Sequence, residues 1–251
     1  MCTLVLLRRD GHPWPLLLAA NRDELRSRPW SPPARHWPDR DHVTAGRDDL
    51  ADGTWLALND DRVVAAILNR RHSLGPEDGK RSRGELPLEA VDHAEAAVAA
   101  KSLSMIDPAS YRSFNLIIAD AVDAFWLKSS GEPDTAVDCT PIPWGLSMIT
   151  AHDLNDTTSP RMRRNLPRFR AAPIPDPEND DWFAWQGLLS DRQPDPGEAP
   201  GGAMNVITEG DFGTGSSSLI ALPDPSRTGV KPKWLFAAGR PGDVPYEPIT
   251  L

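Results

Sequence analysis

Apolar residues in the first seventy positions fall into short runs separated by polar turns. Residues 3–7 (Thr-Leu-Val-Leu-Leu) and 16–20 (Leu-Leu-Leu-Ala-Ala) flank a polar stretch containing Asp10-Gly11, a spacing that predicts an opening β-hairpin. A second pair, 55–58 and 63–68, brackets Asn59-Asp60-Asp61-Arg62 and predicts another hairpin, ending at Asn69. Between them, residues 25–41 carry Pro29, Pro32, Pro33 and Pro38, and this predicts a stiff irregular loop.

The pattern then changes period. Leu88, Val91 and Val98 share one helical face in an alanine-rich stretch, with Pro87 suited to a first turn, so 88–100 is expected to be a helix. A third hairpin is expected from 114–119 and 124–128, followed by a short apolar segment at 145–150. Further helices are expected at 159–170 and 182–189, separated by Pro173, Pro175 and Pro177, with a surface loop at 193–202. Strands are expected at 204–208, 217–222 and 234–238. Strands, then helices, then strands describe one layered α+β domain over residues 1–251.

Composition narrows the function classes. Net charge is −9, which argues against nonspecific nucleic-acid or anionic-membrane partners and favours a small molecule. The longest apolar runs are far below the roughly 20 residues that span a bilayer, and no signal peptide is evident, so a cytoplasmic protein is expected. Two cysteines, Cys2 and Cys139, make no disulfide framework, and Cys139 beside a Pro-rich turn reads as structural. No histidine has zincin spacing, and the Gly210 to Gly215 stretch lacks a phosphate-loop lysine and reads as a turn. No metal or cofactor is expected.

The candidate chemistry sits at the N-terminus. Residue 2 is small enough for removal of Met1, which would leave a thiol and an α-amino group on Cys2. An α-amino pKa of roughly 7.7–8.0 makes that group a base for its own thiol. The second strand runs into Asn21-Arg22-Asp23-Glu24, and antiparallel pairing can bring that end near Cys2. The alternatives are a small residue starting an edge strand and a solvated strand end with local ion pairs. Trp14, Trp30 and Trp37 lie in polar, Pro-rich stretches where exposed aromatics could line a ligand cleft.

Met1-Cys2 with Asn21-Arg22-Asp23-Glu24 resembles the NRDE family, also called transport and Golgi organisation 2 homologues. Supporting pieces are the segments from Gly53 to Asn59, Ala66 to Arg70 and Ser82 to Leu86, then Phe114-Asn115-Leu116 and Gly145-Leu146-Ser147. The resemblance implies a relative of the N-terminal nucleophile hydrolases, a four-layer αββα sandwich of antiparallel sheets. It implies an amidohydrolase in which Cys2 attacks a non-peptide acyl amide and forms a thioester, the substrate being a small acylated amine. By position Arg22 and Asp23 would assist Cys2, and Asn69 would bind the oxyanion, although Asn69 also reads as a turn cap before Arg70. Asn21, Trp30, Trp37, His152 and Asn155 are candidate substrate contacts.

Two positions depart from the family pattern. Met148 stands where many relatives have Asn after Gly-Leu-Ser, with His152, Asp153 or Asn155 as possible replacements, and Gly215 stands where relatives commonly have Arg. These departures, with the family's link to haem and lipid handling, keep open a second function: a noncatalytic carrier of a hydrophobic ligand, an acyl lipid or haem.

Overall fold

The structure is a computed structural model and describes residues 2–251. The chain divides into two compact units, one made of the described part of Met1–Ser27 with Trp144–Leu251, the other of Arg28–Pro143.

The first unit is built on a six-stranded antiparallel sheet. Its strands are β1 (Thr3–Arg8), β2 (Leu16–Leu25), β10 (Gly145–Ile149), β11 (Phe212–Leu222), β12 (Lys233–Ala237) and β13 (Glu247–Pro248), in the spatial order β10-β1-β2-β11-β12-β13. The opening hairpin forms as its pattern predicts, in the register Thr3↔Asn21 to Arg8↔Leu16. One face carries Val5, Leu7, Leu17, Ala19, Leu219 and Ala221, packed in one apolar cluster with Met162, Leu166 and Phe169 of α3 (Pro160–Ala171) and Trp185 and Leu189 of α4 (Phe183–Leu189). Ser159 caps α3 by accepting from the Met162 N–H, and Pro160 occupies the first turn. Trp14 is part of this core, its indole N–H donating to Glu178 Oε1 at 2.7 Å, so it lines no open cleft.

The second unit is a seven-stranded antiparallel sheet in simple sequence order. It comprises β3 (Trp30–Ala34), β4 (Val43–Asp48), β5 (Leu56–Asn59), β6 (Val64–Asn69), β7 (Phe114–Ala119), β8 (Ala124–Ser129) and β9 (Asp138–Pro141). Two short helices, α1 (Glu85–Val91) and α2 (Ala96–Leu103), pack on it through Leu86, Ala90, Ala96 and Ala99.

Several expectations need correction. Residues 25–41 are not an irregular loop: β2 continues to Leu25, and Trp30–Ala34 is a strand despite Pro32 and Pro33, because it lies at the sheet edge where a missing N–H is tolerated. The expected helix at 88–100 is two helices, separated at residues 92–95, where the second begins with the Ala96 N–H bonded to Asp120 Oδ2 at 2.8 Å. Residues 204–208 form no strand and contribute only a bridge from Ile207 to Gly213. The supposed glycine turn is largely the start of β11, whose register against β2 shifts between Thr214 and Ser216, leaving Gly215 as a bulge.

Candidate active site

β1 and β2 place the N-terminal cysteine. Cys2 is half-buried one residue before β1, and its Sγ lies 3.6 Å from the backbone oxygen of Asp23 in donating geometry. Continuing the β1/β2 register by one residue sets Cys2 opposite Arg22. Alternation along β2 then separates the acid from the base: Asn21 and Asp23 share the helix-covered face with Leu17 and Ala19, whereas Arg22 lies on the opposite face with Leu18 and Ala20. Burial pushes the Cys2 thiol above its ordinary value. The charge of Asp23 adds to that rise, while the hydrogen bond to the Asp23 backbone and the charge of Arg22 oppose it.

Asp23 is completely buried and held from two elements. Its Oδ2 accepts from Arg161 Nη1 at 2.8 Å, and its Oδ1 accepts from the Thr214 hydroxyl at 2.6 Å. The same Arg161 nitrogen donates to Thr3 Oγ1 at 2.5 Å, and Arg161 Nε donates to the Gly201 carbonyl at 3.1 Å. Thr214 reaches Asp23 from β11 immediately before the Gly215 bulge and also accepts the Val206 N–H at 2.8 Å. Arg161 went unassigned on sequence because it stands among Arg163 and Arg164 with no motif of its own. The available signal was position: it lies four residues before Asn165 and next to Met162, both buried.

The other candidates are spread more widely. Asn21 is buried, its amide donating to the Leu189 and Met204 carbonyls at 2.9 and 3.0 Å and its oxygen accepting from Ser217 at 2.6 Å, so it braces the strand from within. Asn155 has a left-handed backbone, φ 58°, and its side chain closes on β10: Oδ1 accepts the Met148 N–H at 2.8 Å and Nδ2 donates to Ser147 Oγ at 3.2 Å. Met148 itself points into the core. His152 is half-buried, with Nδ1 3.5 Å from the Thr150 hydroxyl. Asn69, Trp30 and Trp37 belong to the second unit. Asn69 ends β6 half-buried, opposite Phe114, and Trp30 is half-buried with its ring edge-on to Trp55 at 5.8 Å. Trp37 is a correction to the cleft reading: it is buried in the apolar cluster of the second unit, where its hydrophobic surface is best accommodated. Among the described residues, no group of three or more His, Cys, Asp or Glu side chains is placed to hold a metal ion, and no helix is long and apolar enough to cross a membrane.

Residues 1–181 match the model of the Transport and Golgi organisation 2 family. The chain belongs to that family. It is 34% identical to the human Transport and Golgi organization protein 2 homolog over 165 residues, covering 59% of this chain and 56% of the relative. The mouse Transport and Golgi organization 2 homolog is 32% identical over the same shares. The chain therefore spans about half the length of the curated relatives it matches. Among solved structures, a cysteine-to-alanine mutant of conjugated bile acid hydrolase from Clostridium perfringens superposes with a TM-score of 0.56 at 12% identity, over 100% of this chain and 92% of that one. The Caenorhabditis elegans ortholog of N-acylethanolamine-hydrolyzing acid amidase gives 0.51 at 11% identity, over 90% and 95%. These likenesses show the fold: this member of the Transport and Golgi organisation 2 family is an α+β protein of antiparallel sheets with the N-terminal nucleophile hydrolase-like architecture.

Proposed function

We propose that the chain is an N-terminal cysteine amidohydrolase acting on a small acylated amine. Removal of Met1 frees the α-amino group of Cys2, which takes the thiol proton. The sulfur adds to the amide carbonyl, the amine leaves with the proton held by the α-amino group, and water hydrolyses the resulting thioester. Arg22 favours the thiolate, and Asp23 holds the amino group. The observation that carries this reading is the thiol of Cys2 against the Asp23 backbone with Arg22 across the strand pair. The structural neighbours' printed activities, on conjugated bile acids and N-acylethanolamines, support an acyl-amide substrate class.

The test is intact-mass analysis of native-terminus protein incubated with a panel of acyl amides. Loss of Met1 and an acyl adduct on Cys2, with turnover abolished in a folded Cys2→Ala variant, is the expected result. Turnover unchanged by Cys2→Ala sinks the proposal.

A second reading has its own support. Burial raises the Cys2 thiol, and Gly215 brings no cation to the site, with open space where a side chain would stand. Both suit a noncatalytic carrier of an acyl lipid or haem. On that reading, binding of a fatty-acid probe or haemin survives Cys2→Ala.

A further inference from the structure

We propose that Arg161 is a positioning residue for the Cys2 site, its guanidinium balancing the charge of Asp23 so that the freed amino group of Cys2 can rest against that carboxylate without being locked as an ammonium ion. The inference rests on the N-terminal nucleophile reading above and adds to it a residue from outside the two opening strands.

The placement of Arg161 is otherwise hard to explain. It is the second residue of α3, in the first helical turn, where the macrodipole disfavours a cation. Its side chain is 3% exposed and that of Asp23 is 0% exposed, so both charges have given up hydration. Met162, Leu166 and Phe169 already anchor the helix to the sheet, and an apolar residue at 161 would serve packing alone. What the arginine supplies is a fixed positive charge 2.8 Å from Asp23 Oδ2, locked in direction by Thr3 Oγ1 and the Gly201 carbonyl.

That charge matters because a lone carboxylate beside the site has two unwanted effects. It stabilises the protonated amine, which then cannot act as a base, and it disfavours the thiolate on the same residue. A guanidinium on Asp23 Oδ2 reduces both effects. Thr214 fixes the other oxygen without adding charge. Thr3 is the residue directly after Cys2, so the Arg161 contact to its hydroxyl also ties the cation to the start of β1.

The experiment measures the rate of Cys2 alkylation by iodoacetamide against pH in folded protein lacking Met1, with the modified peptide mapped and folding checked by circular dichroism. Arg161→Gln leaves Asp23 unbalanced; the midpoint is expected to move up by about one pH unit, so alkylation at pH 7.5 slows about tenfold. Asp23→Asn leaves Arg161 unbalanced and moves the midpoint down. The charge-neutral double variant returns to within about half a unit of wild type, and Arg161→Lys, which keeps the charge, stays near wild type. A single variant that fails to fold is replaced by the comparison of the double variant with Arg161→Lys. A double variant or an Arg161→Lys profile displaced by a full unit makes the arginine a structural tie and overturns the proposal. Unshifted single variants with a fast wild-type Cys2 also overturn it while leaving the nucleophile reading intact. A wild-type Cys2 no more reactive than Cys139 overturns both.

Discussion

The two units bury different things. Among the described residues, the four buried charged side chains, Arg8, Arg22, Asp23 and Arg161, all belong to the first unit, and three of them lie on β2 or reach it. The second unit buries alanine and aliphatic residues against its helices, with Ala45, Ala57, Ala65, Ala90, Ala96, Ala99 and Ala100 setting a close approach. Its buried polar groups are neutral, such as Asn59, whose amide donates to the Val91 and His93 carbonyls at 2.8 Å. Burying charge is expensive unless it is paired, so the Asp23–Arg161 pair carries a desolvation cost that the second unit avoids.

The comparison is broken most severely by unpairing the first unit's charges. Either Arg161→Met or Asp23→Asn alone should lower stability by about 3–5 kcal/mol, and the two together by clearly less than their sum, as measured by urea unfolding followed through tryptophan fluorescence. Additive losses would mean that the pair is not coupled. The counterpart in the second unit is Leu86→Ala, expected to cost about 2–5 kcal/mol through lost burial and a cavity, with no effect on Cys2 alkylation.

Smaller effects sharpen the contrast. Asn21→Ala strands the Leu189 and Met204 carbonyls and should cost about 1–3 kcal/mol. The smallest concerns Tyr111, buried in the second unit with no hydrogen-bond partner for its hydroxyl. Burial pushes its phenol up to about 12. The folded state therefore keeps a proton that the unfolded chain releases above about pH 10, so this group contributes stability that is lost as pH rises from about 10 to about 12. Tyr111→Phe should be nearly neutral at pH 7 and flatten that alkaline loss in thermal melts.

Much of the scaffold was legible because short apolar runs and turn residues encode hairpins directly: β1 with β2, β5 with β6, and β7 with β8 formed as their patterns predicted. What escaped was decided by tertiary context. Pro32 and Pro33 disguise an edge strand, the glycines at 213 and 215 disguise the start of β11, and residues 92–95 interrupt an otherwise helical period. The candidate site was legible only at its linear motif. The Cys2, Arg22 and Asp23 cluster follows from hairpin pairing, but Arg161 and Thr214 reach Asp23 across 138 and 191 residues, and no local pattern distinguishes one arginine of five on α3. Trp37 shows the opposite failure: a polar neighbourhood in sequence surrounded a core residue in space.

The bulge at Gly215 makes the shape of β11 beside Asp23 sensitive to length rather than to identity. Ser217 faces Asn21 and Thr214 faces Asp23, an odd spacing in β11 against an even spacing in β2, so the strands are out of phase by one residue, Gly215. A single-codon deletion at 215 would leave a regular ladder in which Thr214 still stands opposite Asp23, removing the local bend and extra twist of β11 beside the acid but not the pairing. Substitutions at 215 leave the phase intact. Gain or loss of one residue at this point is therefore the change that would reshape β11 beside the acid, in a place where an alignment would record only a gap.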